Sequence, residues 1–130
     1  MKRVVLALVV ACRPPQPPVK VMELNVAGEA VNVEGAVVNG YVTLVDFWSE
    51  SCAPCLVVAK KVEAEIANEP RVVLRKVDVG DGFTPIAKTY KIGALPHWRV
   101  FDVKGRLRFI LVGPDCLRAP GLAKQLLAEP

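Results

Sequence analysis

The sequence predicts a single α/β domain in which helices cover both faces of a β-sheet. The length of 130 residues fits one domain. Hydrophobic residues make up 52% of the chain and charged residues 23%, a balance that excludes disorder. From about residue 19 onward, segments with strand character alternate with segments of helical period. Such alternation is typical of a sheet covered by helices.

A buried strand leading directly into a helix opens the best-defined part of this pattern. Residues 42–48 are apolar apart from Thr43 and Asp46, which predicts a central strand covered on both faces. Residues 55–67 follow a helical period, with apolar side chains at positions 55, 58, 59, 62 and 66.

The next strand and helix follow in the same order. Residues 71–79 have the composition of a strand, and Thr84 and Pro85 provide an N-cap and first-turn signal for a short helix that reaches Tyr90. Residues 22–40, which precede the central strand, are interrupted by glycines and have no clear pattern.

A hairpin and a last helix complete the predicted order. Residues 98–103 and 107–112 flank Lys104 and Gly105, which indicates two antiparallel strands joined by a turn. The last helix is expected to start near Pro120.

Charge and cysteine content exclude several classes of function. The net charge of +4 is spread along the chain without a basic block, so we expect no nucleic-acid partner. Four cysteines at uneven spacing are too few for a disulfide framework. The chain has one histidine, His97, and one closely spaced cysteine pair, which argues against a closed zinc site.

The N-terminus has the features of a secretory signal of lipoprotein type. Lys2 and Arg3 supply a positive start, residues 4–11 are apolar without interruption, and Cys12 follows a small residue, as in a bacterial lipobox. The apolar stretch is far shorter than the roughly 20 residues that span a bilayer, and it fits the apolar region of a signal peptide.

These features define the expected domain organisation. We expect residues 1–11 to be the signal peptide and Cys12 to be lipidated. Residues 12–20 would be a Pro-rich tether, and residues 21–130 the folded domain. The protein would then be anchored in a bacterial cell envelope, on the periplasmic side. A buried first strand over residues 4–10 and a cytoplasmic location are the alternatives that the residues leave open.

Cys52 and Cys55 fall at the junction between the central strand and the following helix, with Pro54 suited to the first turn. Residues three apart share a helix face, with Cα atoms about 5 Å apart, which is within the range that a disulfide requires. The pair can therefore form and open a disulfide without rebuilding the backbone. A metal site or two incidental cysteines are alternatives, but redox chemistry is favoured because no second ligand pair is present.

The two cysteines should differ in reactivity. Unpaired N–H groups and the positive end of the helix dipole surround Cys52 and favour its thiolate, so Cys52 is the expected nucleophile. Cys55 lies one turn further along the helix, where it is shielded and suited to resolving a mixed disulfide.

The stretch VDFWSESCAPC, followed by a helix, resembles the active site of the thioredoxin family, whose usual form is Val-Asp-Phe-Trp-Ala-x-Trp-Cys-Gly-Pro-Cys. The stretch KVDVGDGFTPIAKTYKIGALP resembles the strand, helix and cis-proline turn that follow in the family, and VFDVKGRLRFILVG resembles its terminal hairpin. The resemblance covers about residues 40–128 and implies the thioredoxin fold, a central mixed sheet with helices on both faces. The Pro-rich leader is more like that of envelope-anchored, thioredoxin-like reductases of bacteria.

The resemblance also implies roles for individual residues. Pro96 matches the family's cis-proline, and the backbone of Leu95 would bind an extended substrate. Asp46 matches the buried carboxylate beneath the second cysteine, where burial should raise its pKa and allow it to exchange a proton with Cys55. A carboxylate satisfied by local backbone donors is the alternative for Asp46. Trp48 is expected to pack beneath the active site as part of the substrate-binding surface, with plain core packing as its alternative.

Three residues depart from the family pattern at the rim of the site. Ser51 replaces the Trp that normally precedes the first cysteine, Ala53 replaces Gly, and Leu56 replaces Lys. These changes keep the redox pair but remove a flat apolar contact surface beside it.

We therefore expect a monomeric thiol–disulfide oxidoreductase that acts as a reductase on disulfide-containing protein substrates. A membrane or soluble electron donor would recharge it, and no bound cofactor or metal is expected. One alternative is a soft-metal (copper) chaperone that uses Cys52, Cys55 and His97; another is a non-catalytic docking module. His97 is otherwise interpreted as a surface residue at a strand start, and Cys116 as an unpaired small residue, with a disulfide to Cys12 as its alternative.

Overall fold

The computed structural model describes Met1 and residues 4–130. Within these residues, five strands form one mixed sheet in the order β1–β3–β2–β4–β5. β1 and β2 run parallel to β3, whereas β4 runs antiparallel to both β2 and β5. The strands are β1 (Val21–Glu23), β2 (Val42–Trp48), β3 (Val72–Asp78), β4 (His97–Phe101) and β5 (Leu107–Val112). The predicted α/β architecture with a central mixed sheet is confirmed.

Helices cover both faces of this sheet, as predicted. The α-helices are α1 (Ala53–Ile66), α2 (Pro85–Thr89) and α3 (Ala119–Leu127), and two short 3-10 helices span Glu34–Ala36 and Gly113–Arg118. α1 and α3 share one core cluster with the sheet, and α2 belongs to a second cluster on the opposite face. The central strand β2 contributes to both clusters because successive side chains of a strand point to opposite faces.

The apolar period of α1 is confirmed position by position. The buried side chains of this helix are Cys55, Val58, Ala59, Val62 and Ile66. Four of them pack against β2 and β3 in the α1/α3 core, and α1 is thereby aligned over the sheet. The helix begins two residues earlier than the apolar pattern indicates, since Cys52 caps it and Ala53 and Pro54 complete its first turn.

The hairpin strand β4 is shorter at its end than predicted because a buried carboxylate forms the turn. Asp102 Oδ1 accepts hydrogen bonds from the N–H groups of Lys104 and Arg106, both at 3.0 Å. The Asp102 N–H in turn donates to the Arg106 carbonyl at 2.9 Å, which closes the turn, and Gly105 lies within it with a φ of 78°.

The N-terminal segment forms no strand over residues 4–10, so the alternative of a buried first strand is wrong. The side chains of Val5 and Leu8 are 87% and 86% exposed, and the others described in this segment are similarly exposed. The predicted positive start, Lys2 and Arg3, lies outside the described residues. Among the helices of the described chain, none is both long and apolar enough to cross a membrane.

Candidate active site

The end of β2 and the start of α1 place the cysteine pair at one edge of the sheet. Cys52 is the N-cap of α1 in extended conformation, and its sulfur accepts a hydrogen bond from the N–H of Cys55 at 3.2 Å. Pro54 lies in the first turn, where its missing N–H costs no helical hydrogen bond. The local sequence thus brings an unpaired N–H group of the helix to the Cys52 sulfur.

Cys52 and Cys55 are joined by a disulfide, with Cα atoms 5.3 Å apart. This separation agrees with the value of about 5 Å expected from helix geometry. The two cysteines are unequal in access, since Cys52 is partly exposed and Cys55 is fully buried. An incoming disulfide can therefore reach Cys52 but not Cys55.

Asp46 is a fully buried carboxyl group on the same side of the sheet as α1. Its cross-strand partner Trp98 belongs to the core beneath α1 and α3, as does Leu44, two residues earlier in β2. In the described part of the chain, neither carboxyl oxygen of Asp46 has a hydrogen-bond partner. The alternative of a carboxylate satisfied by local backbone donors is therefore wrong.

The environment of Asp46 favours its protonated form. Burial raises its pKa from 3.8 to about 7; Lys76 opposes this rise, while Glu23 and Glu63 add to it. A buried carboxyl group that titrates near neutral pH is able both to accept and to release a proton under ordinary conditions. The raised pKa implied by the family resemblance agrees with this environment.

Lys76 is a residue of the site that the sequence analysis missed. Its Nζ lies 3.6 Å from Glu63 and 3.9 Å from Glu23, and 5.0 Å from the centre of the Trp48 ring. Lys76 and Asp46 are paired in the register of the parallel strands β3 and β2. Nothing in the local sequence identifies Lys76, because its position next to Asp46 depends on how the two strands pair.

The Leu95–Pro96 peptide bond is cis, as the resemblance implies. The Pro96 carbonyl accepts a hydrogen bond from the N–H of Gly113 at 2.9 Å, which ties the loop to the end of β5. This loop borders an apolar groove of about 610 Å³. Its lining includes Ala53, Pro54, Val57, Leu95, Pro96 and Pro114. Val57 and Pro114 are further site residues that the sequence analysis missed.

Trp48 lies at the end of β2 next to the cysteine pair, but it is not among the residues that line this groove. Its side chain is partly buried, and the ring packs against the Lys76 ammonium group. Its indole N–H is buried and has no hydrogen-bond partner among the described residues. A role for Trp48 in substrate binding stays a prediction.

A second groove, of about 400 Å³, is lined in part by residues that precede Cys52 in the sequence, whereas the residues that line the apolar groove follow it. The second groove includes Ser51, whose hydroxyl donates a hydrogen bond to Asp81 at 2.9 Å. The loop after β3 carries Asp81, which the sequence analysis did not select as a site residue. A lone Asp in a Gly-rich loop offers no signal of its own, since only the fold brings it to Ser51.

His97 is not a surface residue, and that interpretation of the sequence is wrong. It does begin β4, but it is only 7% exposed, because its antiparallel partner Phe47 packs against it in a T-shaped arrangement with ring centroids 5.4 Å apart. Arg99 Nε donates to His97 Nε2 at 3.4 Å, and burial together with this cation lowers the His97 pKa to about 4. In residues 4–130 and Met1, no three Cys, His, Asp or Glu side chains are grouped closely enough to hold a metal ion.

The remaining two cysteines are free. Cys116 is fully buried, and its pKa is raised to about 12, mainly by burial. Its sulfur lies 3.4 Å from the Leu111 carbonyl and 3.6 Å from the Pro96 carbonyl. The prediction of an unpaired small residue is confirmed for Cys116. Cys12 is exposed and unpaired.

The fold and this site define a class of protein: a thiol–disulfide oxidoreductase in which a Cys-x-x-Cys pair caps a helix beside a cis-proline. A family model described as Thioredoxin matches residues 24–116. The chain belongs to the thioredoxin family, as the resemblance of its motifs indicated.

Individual relatives agree with this assignment. A thioredoxin from Mycoplasma pneumoniae is 34% identical over 70 residues, which cover 54% of this chain and 67% of that protein. A thioredoxin from Coprinus comatus is 32% identical over 92 residues, which cover 69% of this chain and 85% of that protein. Among solved structures, a complex of ferredoxin:thioredoxin reductase with thioredoxin f2 matches with a TM-score of 0.65 over 84% of this chain and 96% of the matched chain. At 17% identity, that match shows the likeness of the fold alone.

Proposed function

We propose that this oxidoreductase acts as a disulfide reductase on protein substrates, with Cys52 as the nucleophile and Cys55 as the resolving thiol. The observation that carries the proposal is the unequal pair at the start of α1, a partly exposed Cys52 joined to a fully buried Cys55. One solved structure similar to this chain is a complex of a thioredoxin with a reductase. This protein would likewise need an electron donor that returns its disulfide to the dithiol form.

In the first step, the Cys52 thiolate attacks one sulfur of the substrate disulfide. A bond forms between Cys52 and that sulfur, the substrate disulfide breaks, and the second substrate sulfur leaves as a thiolate. The N–H of Cys55, which contacts the Cys52 sulfur at 3.2 Å, and the helix N-terminus both favour the Cys52 thiolate.

In the second step, Cys55 resolves the mixed disulfide. Its thiol transfers a proton to the Asp46 carboxylate, and its sulfur attacks Cys52, releasing the first substrate sulfur as a thiolate. The two electrons thus pass from the cysteine pair to the substrate, and the pair ends as the disulfide. A role for Asp46 as proton acceptor is supported by its burial on the α1 side of the sheet and by its pKa of about 7.

The substrate would lie in extended conformation along Leu95 and Pro96, with apolar side chains in the neighbouring groove. Support comes from the apolar lining of this groove on α1, the cis-proline loop and the end of β5. The Trp48 ring would pack beneath the substrate-binding site, with the Lys76 ammonium group against the ring.

We further propose that the protein is a monomer held at the periplasmic side of a bacterial envelope by a lipid on Cys12. Support comes from the order of basic, apolar and small residues before Cys12 and from the Pro-rich stretch after it. The electron donor would then be a membrane protein or a soluble carrier of the same compartment.

A trapping experiment tests the reductase. Cys55→Ser should form a stable mixed disulfide with a disulfide-containing protein such as insulin, whereas Cys52→Ser should form none, and only the wild type should turn over. A strongly negative reduction potential for the Cys52–Cys55 pair is expected of a reductase. A potential near the oxidising end, or turnover by Cys52→Ser, would contradict the proposal.

A labelling experiment tests the location. The full chain expressed in a bacterium should incorporate labelled palmitate and sediment with membranes, and Cys12→Ala should do neither. A wild-type chain that stays unlabelled and soluble in the cytoplasm would contradict the lipid anchor without affecting the reductase.

A further inference from the structure

The residues immediately before and after Cys52 line two different grooves. Ala53 lines the apolar groove, and Ser51 lines the second groove of about 400 Å³. Leu95 borders both. A substrate chain bound at Leu95 therefore has access to both grooves, so residues that flank its disulfide can enter either one.

The second groove contains a carboxylate held in place by two hydroxyl groups. Asp81 Oδ1 accepts hydrogen bonds from Ser51 at 2.9 Å and from Ser49 at 3.4 Å. Ser49 is only 3% exposed and directly follows the buried strand β2, so it provides a fixed anchor. These bonds use one oxygen of Asp81. In the described chain, its other oxygen has no donor and no Lys or Arg lies within 4.0 Å.

Ser51 makes this arrangement possible. The usual thioredoxin motif has Trp at this position, and although an indole N–H can also donate to a carboxylate, its ring is far larger than the Ser51 side chain. The small Ser51 side chain leaves the space above the carboxylate open and anchors it through the same contact.

Phe83 adds an aromatic side chain to the rim of this groove. It is 90% exposed and lies two residues after Asp81 in the same loop. A carboxylate beside an exposed aromatic ring suits a Lys or Arg side chain, whose apolar stem covers the ring while its charge pairs with the carboxylate.

We propose that Asp81 makes this groove a subsite for a Lys or Arg side chain that flanks the substrate cysteine attacked by Cys52. The inference rests on the proposed reductase function and adds a preference among its substrates. Because the pair is partly exposed to water, the preference should be about two- to fivefold, and salt should weaken it.

Two synthetic peptides test the preference. Both carry the same internal disulfide, and they differ only in having Lys or Gln at the positions that flank the two cysteines. The wild type should reduce the Lys peptide with a kcat/KM about two- to fivefold higher at low salt, mainly through a lower KM. The difference should disappear in 0.5 M NaCl, at a Debye length of about 4 Å.

Three variants assign the preference to Asp81. Asp81→Asn should reduce both peptides equally well, and Asp81→Glu should retain part of the preference. Glu65→Gln, which removes the same charge from an exposed position of α1 outside both grooves, should keep the full preference.

Several outcomes would overturn the inference. Equal reduction of both peptides by the wild type would overturn it and leave the proposed reductase intact. If Asp81→Asn still prefers the Lys peptide, the Lys side chain of the peptide binds somewhere other than at Asp81. Equal loss of activity on both peptides in Asp81→Asn would show a structural role for Asp81 instead. If neither peptide is reduced by the wild type, the proposed function fails together with the inference.

Discussion

Asp46 and Lys76 are paired residues on the neighbouring parallel strands β2 and β3, and the charge of Lys76 acts on the buried carboxyl group of Asp46. The Lys76 ammonium group itself lies 3.6 Å from Glu63 and 3.9 Å from Glu23, so its charge is shared with these carboxylates. Burial therefore dominates over the attraction of Lys76, and the pKa of Asp46 rises to about 7. The protonation of Asp46 thus depends both on its burial and on this shared cation.

Replacing Asp46 by Asn should slow resolution of the mixed disulfide on the order of 100-fold at pH 7, because Cys55 loses its proton acceptor. The first step, attack by Cys52, should be unaffected and serves as the internal control. The measurement is rapid-quench detection of the mixed disulfide across pH 5–9. The wild-type rate should rise through a pH of about 7 and the variant's should not. A variant that resolves at the wild-type rate would exclude Asp46 from proton transfer.

Asp46 should also make the folded protein less stable as the pH rises. Its pKa is about 7 in the folded protein against an ordinary value of 3.8, so between these values the folded chain holds a proton that the unfolded chain has lost. The contribution of Asp46 to the free energy of unfolding should therefore fall from about pH 4 to 7 and then level off, whereas His97, whose pKa is lowered from 6.5 to about 4, contributes a rise with pH over the same range. One pH unit corresponds to about 1.4 kcal/mol, so the total is on the order of 4 kcal/mol.

Denaturant unfolding of the oxidised wild type and of Asp46→Asn at several pH values isolates the contribution of Asp46, because His97 titrates in both proteins. The stability of Asp46→Asn relative to the wild type should increase from pH 4 to 7, so that the variant is the more stable protein at pH 8. A difference between the two proteins that stays constant between pH 4 and 7 would show that Asp46 is not protonated in the folded state.

Replacing Lys76 by Met should raise the pKa of Asp46 further, since Lys76 is the group that opposes the effect of burial. Lys61→Met is the matched control, because Lys61 is exposed on α1. NMR titration of the Asp46 carboxyl carbon measures both. An unchanged or lower Asp46 pKa in Lys76→Met would mean that Lys76 acts on Trp48 and the two glutamates but not on Asp46.

Replacing Val57 by Asp should weaken the binding of apolar substrates. Val57 is 55% exposed and lines the apolar groove, whereas its neighbour Leu56 is 47% exposed and does not. We therefore expect Val57→Asp to raise the KM for insulin about fivefold or more, and Leu56→Asp to change it by less than about twofold. Equal effects of the two variants would locate substrate binding outside this groove.

Cys116 should be unreactive in the folded protein. It is fully buried and its pKa is about 12, so little thiolate is present and no reagent can reach it. Mass spectrometry of the oxidised Cys12→Ala variant treated with iodoacetamide at pH 8 should show no adduct. Unfolding in guanidinium chloride should add one adduct, on Cys116. Modification of Cys116 before unfolding would mean that the α3 side of the core opens readily.

Local features of the fold could be predicted because short-range rules govern them. The apolar period of α1, the Thr84 cap of α2 and the turn at Gly105 each depend on residues within a few positions of one another. Residues 22–40 could not be assigned, since their structure depends on distant partners. Arg75 Nε, for example, donates to the Ala36 carbonyl at 3.3 Å, across 39 positions of sequence.

His97 illustrates the same limit at a single residue. A lone histidine after a proline gives no indication of burial, and only the antiparallel pairing of β4 with β2 places it against Phe47. The pairing of Asp46 with Lys76 and the contact of Ser51 with Asp81 likewise join residues 30 positions apart.

The sequence alone determined that this protein carries a cysteine pair able to form a disulfide, because two cysteines three residues apart at a helix start need only the geometry of one turn to do so. The proton affinity of Asp46, the burial of His97 and the composition of the two grooves were decided by the tertiary structure. These properties arise from side chains that strand pairing and helix packing bring together from distant parts of the chain. No local pattern specifies which of them meet.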